Sequence, residues 1–406
     1  MTAPPVSVIV VSRHRPRALA RCLLGLSQLD YPAVEVVVVA DPSGLAVSRN
    51  YPVKRVAFDD ANISAARNAG ISAASGQIVA FIDDDAVPEP QWLRHLIAPF
   101  SDPAVSASGG YVVGANGISM QWTSGTVDRL LRIGPLDLTD DGPGLHRARP
   151  GKAIEIKGVN CAYRRDLLLD MGGFDPELRY YLDETELNLR LAAKGAVTAI
   201  VPQARVHHRK EQSALRRADG VPLDLATIGA SAAVTLRRHG ADATEIAAAA
   251  HRLFDQERTK LERLRTTRRL SARQVAELMS GLSDGFAEGA RRILPPLLPL
   301  VDTAQPLLPL HCPPRPLSVL SGRIWQRARL TREAKARVGA GEVVRVFVFS
   351  PTTLFHQHCF TDQGYWLQTG GLFGKSDRTD PVFRLWSLAA RVRRESDRRL
   401  SCFRYS

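Results

Sequence analysis

Runs rich in β-branched and other apolar residues at positions 6–11, 34–39 and 78–82, with a weaker one at 54–58, divide the first part of the chain. Such runs predict strands buried on both faces. Between them lie stretches with helical spacing. Positions 18–26 carry Leu19, Cys22, Leu23 and Leu26 on one face behind Pro16, a residue suited to a helix start, and positions 62–74 form an alanine-rich stretch containing Arg67 and Asn68. Strands alternating with helices predict a parallel, doubly wound sheet. Right-handed crossovers then place the C-terminal ends of these strands on one edge.

Chemistry gathers at that edge. The run Ile78, Val79, Ala80, Phe81, Ile82 stops at three consecutive carboxylates, Asp83, Asp84 and Asp85. Three charges cannot belong to a strand buried on both faces without partners or a metal. They therefore belong at its C-terminal end, where open α/β sheets bind ligands. An oxygen-rich cluster suits Mg²⁺ or Mn²⁺, ions that commonly bind substrate phosphates as well. Ser12 and Asp41 end the first two strands at the same edge, which outlines a pocket for a metal-bound nucleotide diphosphate.

The order of motifs resembles the family 2 glycosyltransferases of the GT-A fold. VSVIVVSRHRP is similar to that family's opening strand. VVVADPS is similar to its second-strand element, with Ala40 replacing the first acidic residue. NISAARNAG, FIDDDAVPEPQWL, KGVNCAYRRDLLLDMGGFDPEL, YLDETELNLRLAAKG and VPQARVHHRK follow in the family's order, across roughly residues 5–210. The resemblance implies an α/β fold, a Rossmann-like and mostly parallel sheet flanked by helices. It also implies metal-dependent inverting transfer of a sugar from a nucleotide-diphosphate donor, linked to UDP, TDP or GDP, with Mg²⁺ or Mn²⁺.

Carried over position by position, the resemblance places Asp41 and Arg67 at the nucleobase side, with Ser12, Arg13 and Asn160 among the donor contacts. Asp83 and Asp85 are the outer pair of a DxD motif, with Asp85 the direct metal ligand. Asp84 is left for the ribose or a metal-bound water. His207 or His208 supplies a further metal ligand, and the sequence leaves both open. The family's base is an aspartate in a Glu-Asp pair, whereas this chain has Asp183 followed by Glu184. Alignment makes Glu184 the base and keeps Asp183 as the alternative; a carboxylate at either position can accept the proton. Processive members carry a Q-x-x-R-W motif after this segment. It is absent here, so a non-processive enzyme of surface polysaccharide or glycolipid synthesis is expected, acting on a glycan or lipid-linked acceptor.

Past residue 210, positions 223–238, 241–264 and 271–292 read as helices, and the eight prolines within 294–316 exclude regular helix there. Positions 343–350 read as a strand, 364–374 as a glycine- and aromatic-rich loop, and 383–400 as a basic helix. The expected divisions are a catalytic domain at 1–215, a helical extension at 216–293, a proline-rich linker at 294–320 and a small C-terminal α/β domain at 321–406. His356, His358 and Cys359 form an HxHC run that packing explains better than metal binding, because no further ligands are spaced around it.

Charge divides the chain unevenly. Residues 1–200 hold 20 Lys/Arg against 22 Asp/Glu, and the remainder 34 against 19, within a total of +13. A basic second half fits peripheral contact with an anionic membrane; without a recognisable nucleic-acid-binding module it is no case for nucleic acid. Five scattered cysteines and no signal-like or ~20-residue apolar segment point to a cytoplasmic protein, soluble or peripheral at the inner face of the membrane. Two other functions fit parts of the pattern. A nucleotidyltransferase shares the sheet and carboxylates, but SRHRPRAL lacks the glycines its phosphate loop needs. A catalytically inactive GT-A binding scaffold needs none of Asp85, Glu184, His207 or His208, all of which are present.

Overall fold

The computed structural model describes residues 3–136, 138 and 142–403. The apolar runs form strands β1 (Val6–Ser12), β2 (Val34–Ala40), β3 (Lys54–Ala57) and β4 (Ile78–Ile82). The short β5 (Ala86–Pro88) and the longer β6 (Val105–Val113) follow. Helices α1 (Pro16–Leu26), α2 (Pro42–Ser48), α3 (Ile63–Ala73) and α4 (Trp92–Ile97) connect them. Asn62 caps α3 by accepting the Ala65 amide, as its side chain is suited to do.

Strands β7 (Met120–Trp122), β8 (Thr126–Asp128), β9 (Ile133–Gly134), β10 (Gly144–Arg147), β11 (Lys152–Ile154), β12 (Asn160–Arg164) and β13 (Val197–His208) complete this part, with helices α5 (Arg165–Asp170) and α6 (Asp183–Ala193). The main sheet runs β10-β13-β6-β12-β4-β1-β2-β3, with β5 paired to β13 and β7 to β6. β1 through β4 are mutually parallel, and β12 enters antiparallel between β4 and β6. Apolar side chains pack on both faces, one layer against α1 and α4 and the other against α3 and α6. This is the expected GT-A class, a mostly parallel sheet flanked by helices.

The helical extension consists of α7 (Ala226–Arg238), α8 (Ala243–Thr266) and α9 (Ala272–Arg291). α7 and α9 cross with their backbones nearly touching. A Cβ at Gly285 would lie 1.9 Å from the Ala226 carbonyl oxygen, so only glycine fits there. α8 and α9 both begin with the capping boxes that their Asp242-x-x-Glu245 and Ser271-x-x-Gln274 sequences encode.

The proline-rich segment is a strap rather than a free linker. It crosses the catalytic domain through Leu300 N–H to Leu169 O at 2.9 Å, Thr303 N–H to Ser72 O at 3.1 Å and Leu310 N–H to Val34 O at 2.8 Å. Buried Glu35 anchors it, accepting the Leu308 amide at 3.0 Å beside Ser7, Ser75 and Lys54. These bonds hold the Glu35 carboxyl below its ordinary range although burial pushes the other way.

The C-terminal sheet starts earlier than expected, because β14 (Leu317–Arg323) falls in the segment assigned to the linker. It continues with α10 (Arg327–Gly339), β15 (Val343–Ser350), β16 (Gln357–Phe360), β17 (Trp366–Gly371) and α11 (Leu388–Asp397) in the order β14-β15-β17-β16. Two expectations are corrected here. The stretch at 364–374 contains a strand, because Trp366 and its neighbours pair with β15 and β16. The final helix begins only at Leu388, with Ser387 as its cap. His356 and His358 are buried packing residues: His356 bonds Gln368, and the His358 ring stacks on Trp366. None of the five cysteines, all among the described residues, forms a disulfide.

Candidate active site

Sheet register assembles the site. β1 and β4 pair with a constant offset from Val6 opposite Ile78 to Ile9 opposite Phe81, which brings Ser12 level with Asp84. Ser12 Oγ donates to Asp84 Oδ2 at 2.7 Å, and the Arg15 guanidinium lies 2.5 Å from Asp84 Oδ1 and 3.0 Å from Asp85 Oδ2. β5 pairs antiparallel with β13, placing His208 opposite Ala86 beside the aspartates. His208 Nε2 lies 3.0 Å from Asp85 Oδ1. One ligand atom from each of Asp83, Asp85 and His208 falls within 4.8 Å of the others. Two carboxylates and an imidazole are a donor set that fits Mn²⁺ or Mg²⁺.

Electrostatics separate the three aspartates. Asp83 is part-exposed and faces the cavity. Asp84 is fully buried, and burial raises it to about 7, with Arg15 pulling it down and Asp85 and Asp83 pushing it up. Asp85 is buried as well, but the hydrogen bond and charge of His208, then Arg15 and the Glu211 amide, outweigh that burial and hold it low. Asp85 therefore stays an anion, as a metal ligand must.

The second half of the site is the start of α6. Tyr181 and Leu182 both have positive φ, 74° and 65°, a strained entry that sets Asp183 and Glu184 in the first turn. Asp183 is buried and hydrogen-bonded to Arg67. Glu184 is less buried and lines the cavity with Lys157. Burial raises Asp183 against the pull of Arg67, and the Glu184 charge adds to the rise. Glu184 is held low: burial opposes ionisation, but Lys157 and Arg67 outweigh it. The partial positive charge of the helix N-terminus favours the same anion.

Arg67 joins the two halves. It bonds Asp183 with Nη1, approaches Asp83 at 3.4 Å with Nη2, and lies over the Phe81 and Phe174 rings at 5.7 and 5.2 Å. Gly158 makes room for it, since a Cβ there would stand 2.5 Å from Nη2. The Asp83, Asp85 and His208 group, Arg67 and Glu184 all border one cavity of about 950 Å³, walled further by Arg15, Trp122, Tyr181, Lys210 and Arg216.

A family model described as "Glycosyltransferase like family 2" matches residues 4–219, over half of the chain. The chain belongs to this family. It is 30% identical over 243 residues to the O-antigen biosynthesis protein RfbC of Myxococcus xanthus, covering 54% of this chain and 18% of that protein. It is 28% identical over 215 residues to the pre-mycofactocin glycosyltransferase of Mycobacterium tuberculosis, covering 50% of this chain and 42% of that one. The chain thus spans less than half the length of either relative. Among solved structures, the mannosyltransferase PcManGT of Pyrobaculum calidifontis, in complex with GDP-Man and Mn²⁺, aligns over 71% of this chain and 90% of that chain, with 17% identity and a TM-score of 0.42.

Against the family 2 expectations, the structure brings together Ser12, Arg13, Arg67, Asp83, Asp85, Asp183, Glu184 and His208 around the cavity. It sorts the histidine pair. His207 points to the other face of β13, where Nε2 is 2.8 Å from Glu89 Oε1 and 3.1 Å from Arg399, so a metal role for it is corrected. Asn160 as a donor contact is also corrected. It is fully buried outside the cavity lining, accepts from the Trp92 indole N–H at 2.7 Å and donates to the Tyr111 and Ala204 carbonyls, which engages both ends of its amide within the fold. Asp84 does not line the cavity, and its contact with the ribose is corrected to a buried brace for Ser12 and Arg15. Asp41 caps α2 by accepting from Ser43 and holds the His14 amide at 2.9 Å, also outside the lining. Arg13 is tied to Asp59 at the cavity mouth. Sequence reasoning missed Arg15, Lys157, Lys210 and Arg216. For Arg15 the signal was its place two residues after Arg13 in the loop behind the first strand; the others arrive through topology alone.

Proposed function

We propose that the chain is a metal-dependent, inverting, non-processive glycosyltransferase that moves a sugar from a nucleotide diphosphate to an acceptor hydroxyl. The observation that carries this reading is the shared cavity, with Asp83, Asp85 and His208 on one side and Glu184 on the other. Asp83, Asp85 and His208 would hold Mg²⁺ or Mn²⁺, which supplies charge neutralisation of the donor diphosphate.

The chain's own residues account for the remaining steps. Arg15, Lys157, Lys210 and Arg216 give the cavity the cationic wall that a diphosphate needs. Glu184, kept ionised beside Lys157, accepts the acceptor's hydroxyl proton. The freed oxygen pair attacks the anomeric carbon from the face opposite the leaving group. The bond from that carbon to the diphosphate oxygen breaks, and the nucleoside diphosphate leaves with the electron pair. Asp183 and Arg67 fix Glu184 relative to the metal carboxylates rather than reacting.

A UDP-, TDP- or GDP-linked donor and a glycan or lipid-linked acceptor fit the site, with Trp122 and Tyr181 as apolar faces for a sugar ring. The similarity to an O-antigen biosynthesis protein supports a setting in surface polysaccharide synthesis, which we place at the inner face of a membrane as part of this proposal. Among the described residues no helix is long and apolar enough to cross one. Purified chain incubated with UDP-, TDP- and GDP-sugars should release nucleoside diphosphate from one donor class with Mn²⁺ or Mg²⁺, and stop on chelation. Release that ignores chelation, or no release from any donor, would count against the reading.

A further inference from the structure

The C-terminal module has two opposite ends, and most of its large exposed apolar side chains gather at one of them. β14, β15 and β17 run parallel, Leu317 opposite Val343 and Arg345 opposite Trp366, so their beginnings share one edge. That edge packs on the catalytic domain, where Leu317, Val343, Trp366 and Phe403 cluster with Leu24 and Val87. The strand ends, Arg323 opposite Phe349 and Ser350 opposite Gly371, point away from it. From these distal ends emerge Ile324, Trp325, Leu354, Phe355, Phe383 and Leu385, all exposed, with Trp325 at 70% and Leu385 at 75%.

The loops bearing them are held together. Gly371 N–H bonds Leu354 O, Phe373 N–H bonds Thr352 O, Arg384 N–H bonds Phe373 O, and the Phe373 and Phe383 rings meet at 5.8 Å. Lys375, Arg378 and Arg384 are interleaved with the apolar tips. The acidic residues among them are neutralised, Asp377 by Arg398 and Asp380 by Arg394. Residues 317–403 carry 15 Lys/Arg against 7 Asp/Glu.

We propose that this distal edge is a membrane-docking surface, whose aromatic and aliphatic tips enter the headgroup region of a bilayer while its cations bind anionic lipid headgroups. Separate apolar tips on several loops, set among cations, suit an interface with lipid. An exposed tryptophan is the residue best matched to that boundary. The inference rests on the membrane-side setting of the functional reading and names the surface that would produce it.

The test is co-sedimentation of the full chain with phosphatidylcholine vesicles, with and without phosphatidylglycerol. Wild type should bind the anionic vesicles and release them at high salt. A variant with Trp325, Phe355, Phe383 and Leu385 changed to serine should lose about tenfold or more in partitioning, and so should Lys375→Gln/Arg378→Gln/Arg384→Gln, since each surface cation contributes about 1 kcal/mol. None of the seven positions lines the catalytic cavity, so metal-dependent nucleotide binding should be unchanged in both variants. No vesicle binding by wild type, binding by both variants as tight as that of wild type, or a concentration-dependent dimer that the serine variant abolishes would overturn the inference. If nucleotide binding persists without vesicle binding, only this inference fails; if vesicle binding persists without nucleotide binding, only the functional reading fails.

Discussion

His208 Nε2 stands 3.0 Å from Asp85 Oδ1 because β5 and β13 pair with His208 opposite Ala86. One residue earlier, the same register turns His207 toward Glu89. Alternation along a strand therefore decides which histidine stands beside the proposed metal carboxylates. His208→Ala should weaken Mn²⁺-dependent nucleotide binding by about a hundredfold, with His207→Ala closer to wild type. Calorimetric titration of both variants checks this, and the reverse order would reassign the ligand.

Asp183 and Glu184 should separate in kinetics and stability. Glu184→Gln removes the proposed proton acceptor and should cost about 10²–10⁴ in kcat while donor binding stays. Asp183→Asn leaves buried Arg67 without its closest anion, and breaking such a pair costs about 3–5 kcal/mol. Its main signature is a lower unfolding midpoint in denaturant. Full activity of Glu184→Gln together with an inactive, stable Asp183→Asn would move the base by one residue.

Glu35 gives the fold an acid limit. Its carboxyl is depressed in the folded chain, so its stabilisation is complete above the unfolded glutamate value of about 4.3 and is lost as pH falls through the lower folded value. Glu35→Gln should cost about 2 kcal/mol at neutral pH. It should also flatten the acid side of the stability–pH curve measured by urea unfolding. An unchanged acid slope would show that the strap anchor carries no such linkage.

The C-terminal module reaches the elements that carry the proposed metal ligands through Arg399, which donates to Glu89 Oε1 at 2.8 Å and to the Gly117 carbonyl at 2.6 Å. Glu89 also binds His207, the neighbour of His208. Arg399→Ala should lower apparent Mn²⁺ affinity by up to about tenfold, with less effect on kcat at saturating metal. Equal affinity in variant and wild type would restrict Arg399 to packing.

What the sequence made legible follows from how local each signal is. Apolar runs ending in Ser12, Asp41 and Asp83 announced both the strands and the edge they share, because burial on two faces imposes composition directly. The choice between His207 and His208 depended on pairing with β5, which no local pattern encodes. Asn160 occupied its motif position, yet its role was set by Trp92, 68 residues away. Lys157 and Arg216 reach the cavity only through the tertiary fold. β14 was hidden because its sequence does not alternate: the apolar Val319 is exposed beside buried Leu320, and the other buried position is Gly322.

The central claim is that Asp83, Asp85 and His208 hold a divalent ion that binds a nucleotide diphosphate. Its most direct test is calorimetric titration of UDP, TDP and GDP into wild type and Asp85→Asn, each with Mn²⁺ and with chelator. The account predicts that one nucleotide binds wild type with Mn²⁺ at least about tenfold more tightly than with chelator, and that this gain is absent in Asp85→Asn. Equal binding with and without metal, or a metal gain that survives in Asp85→Asn, would contradict it.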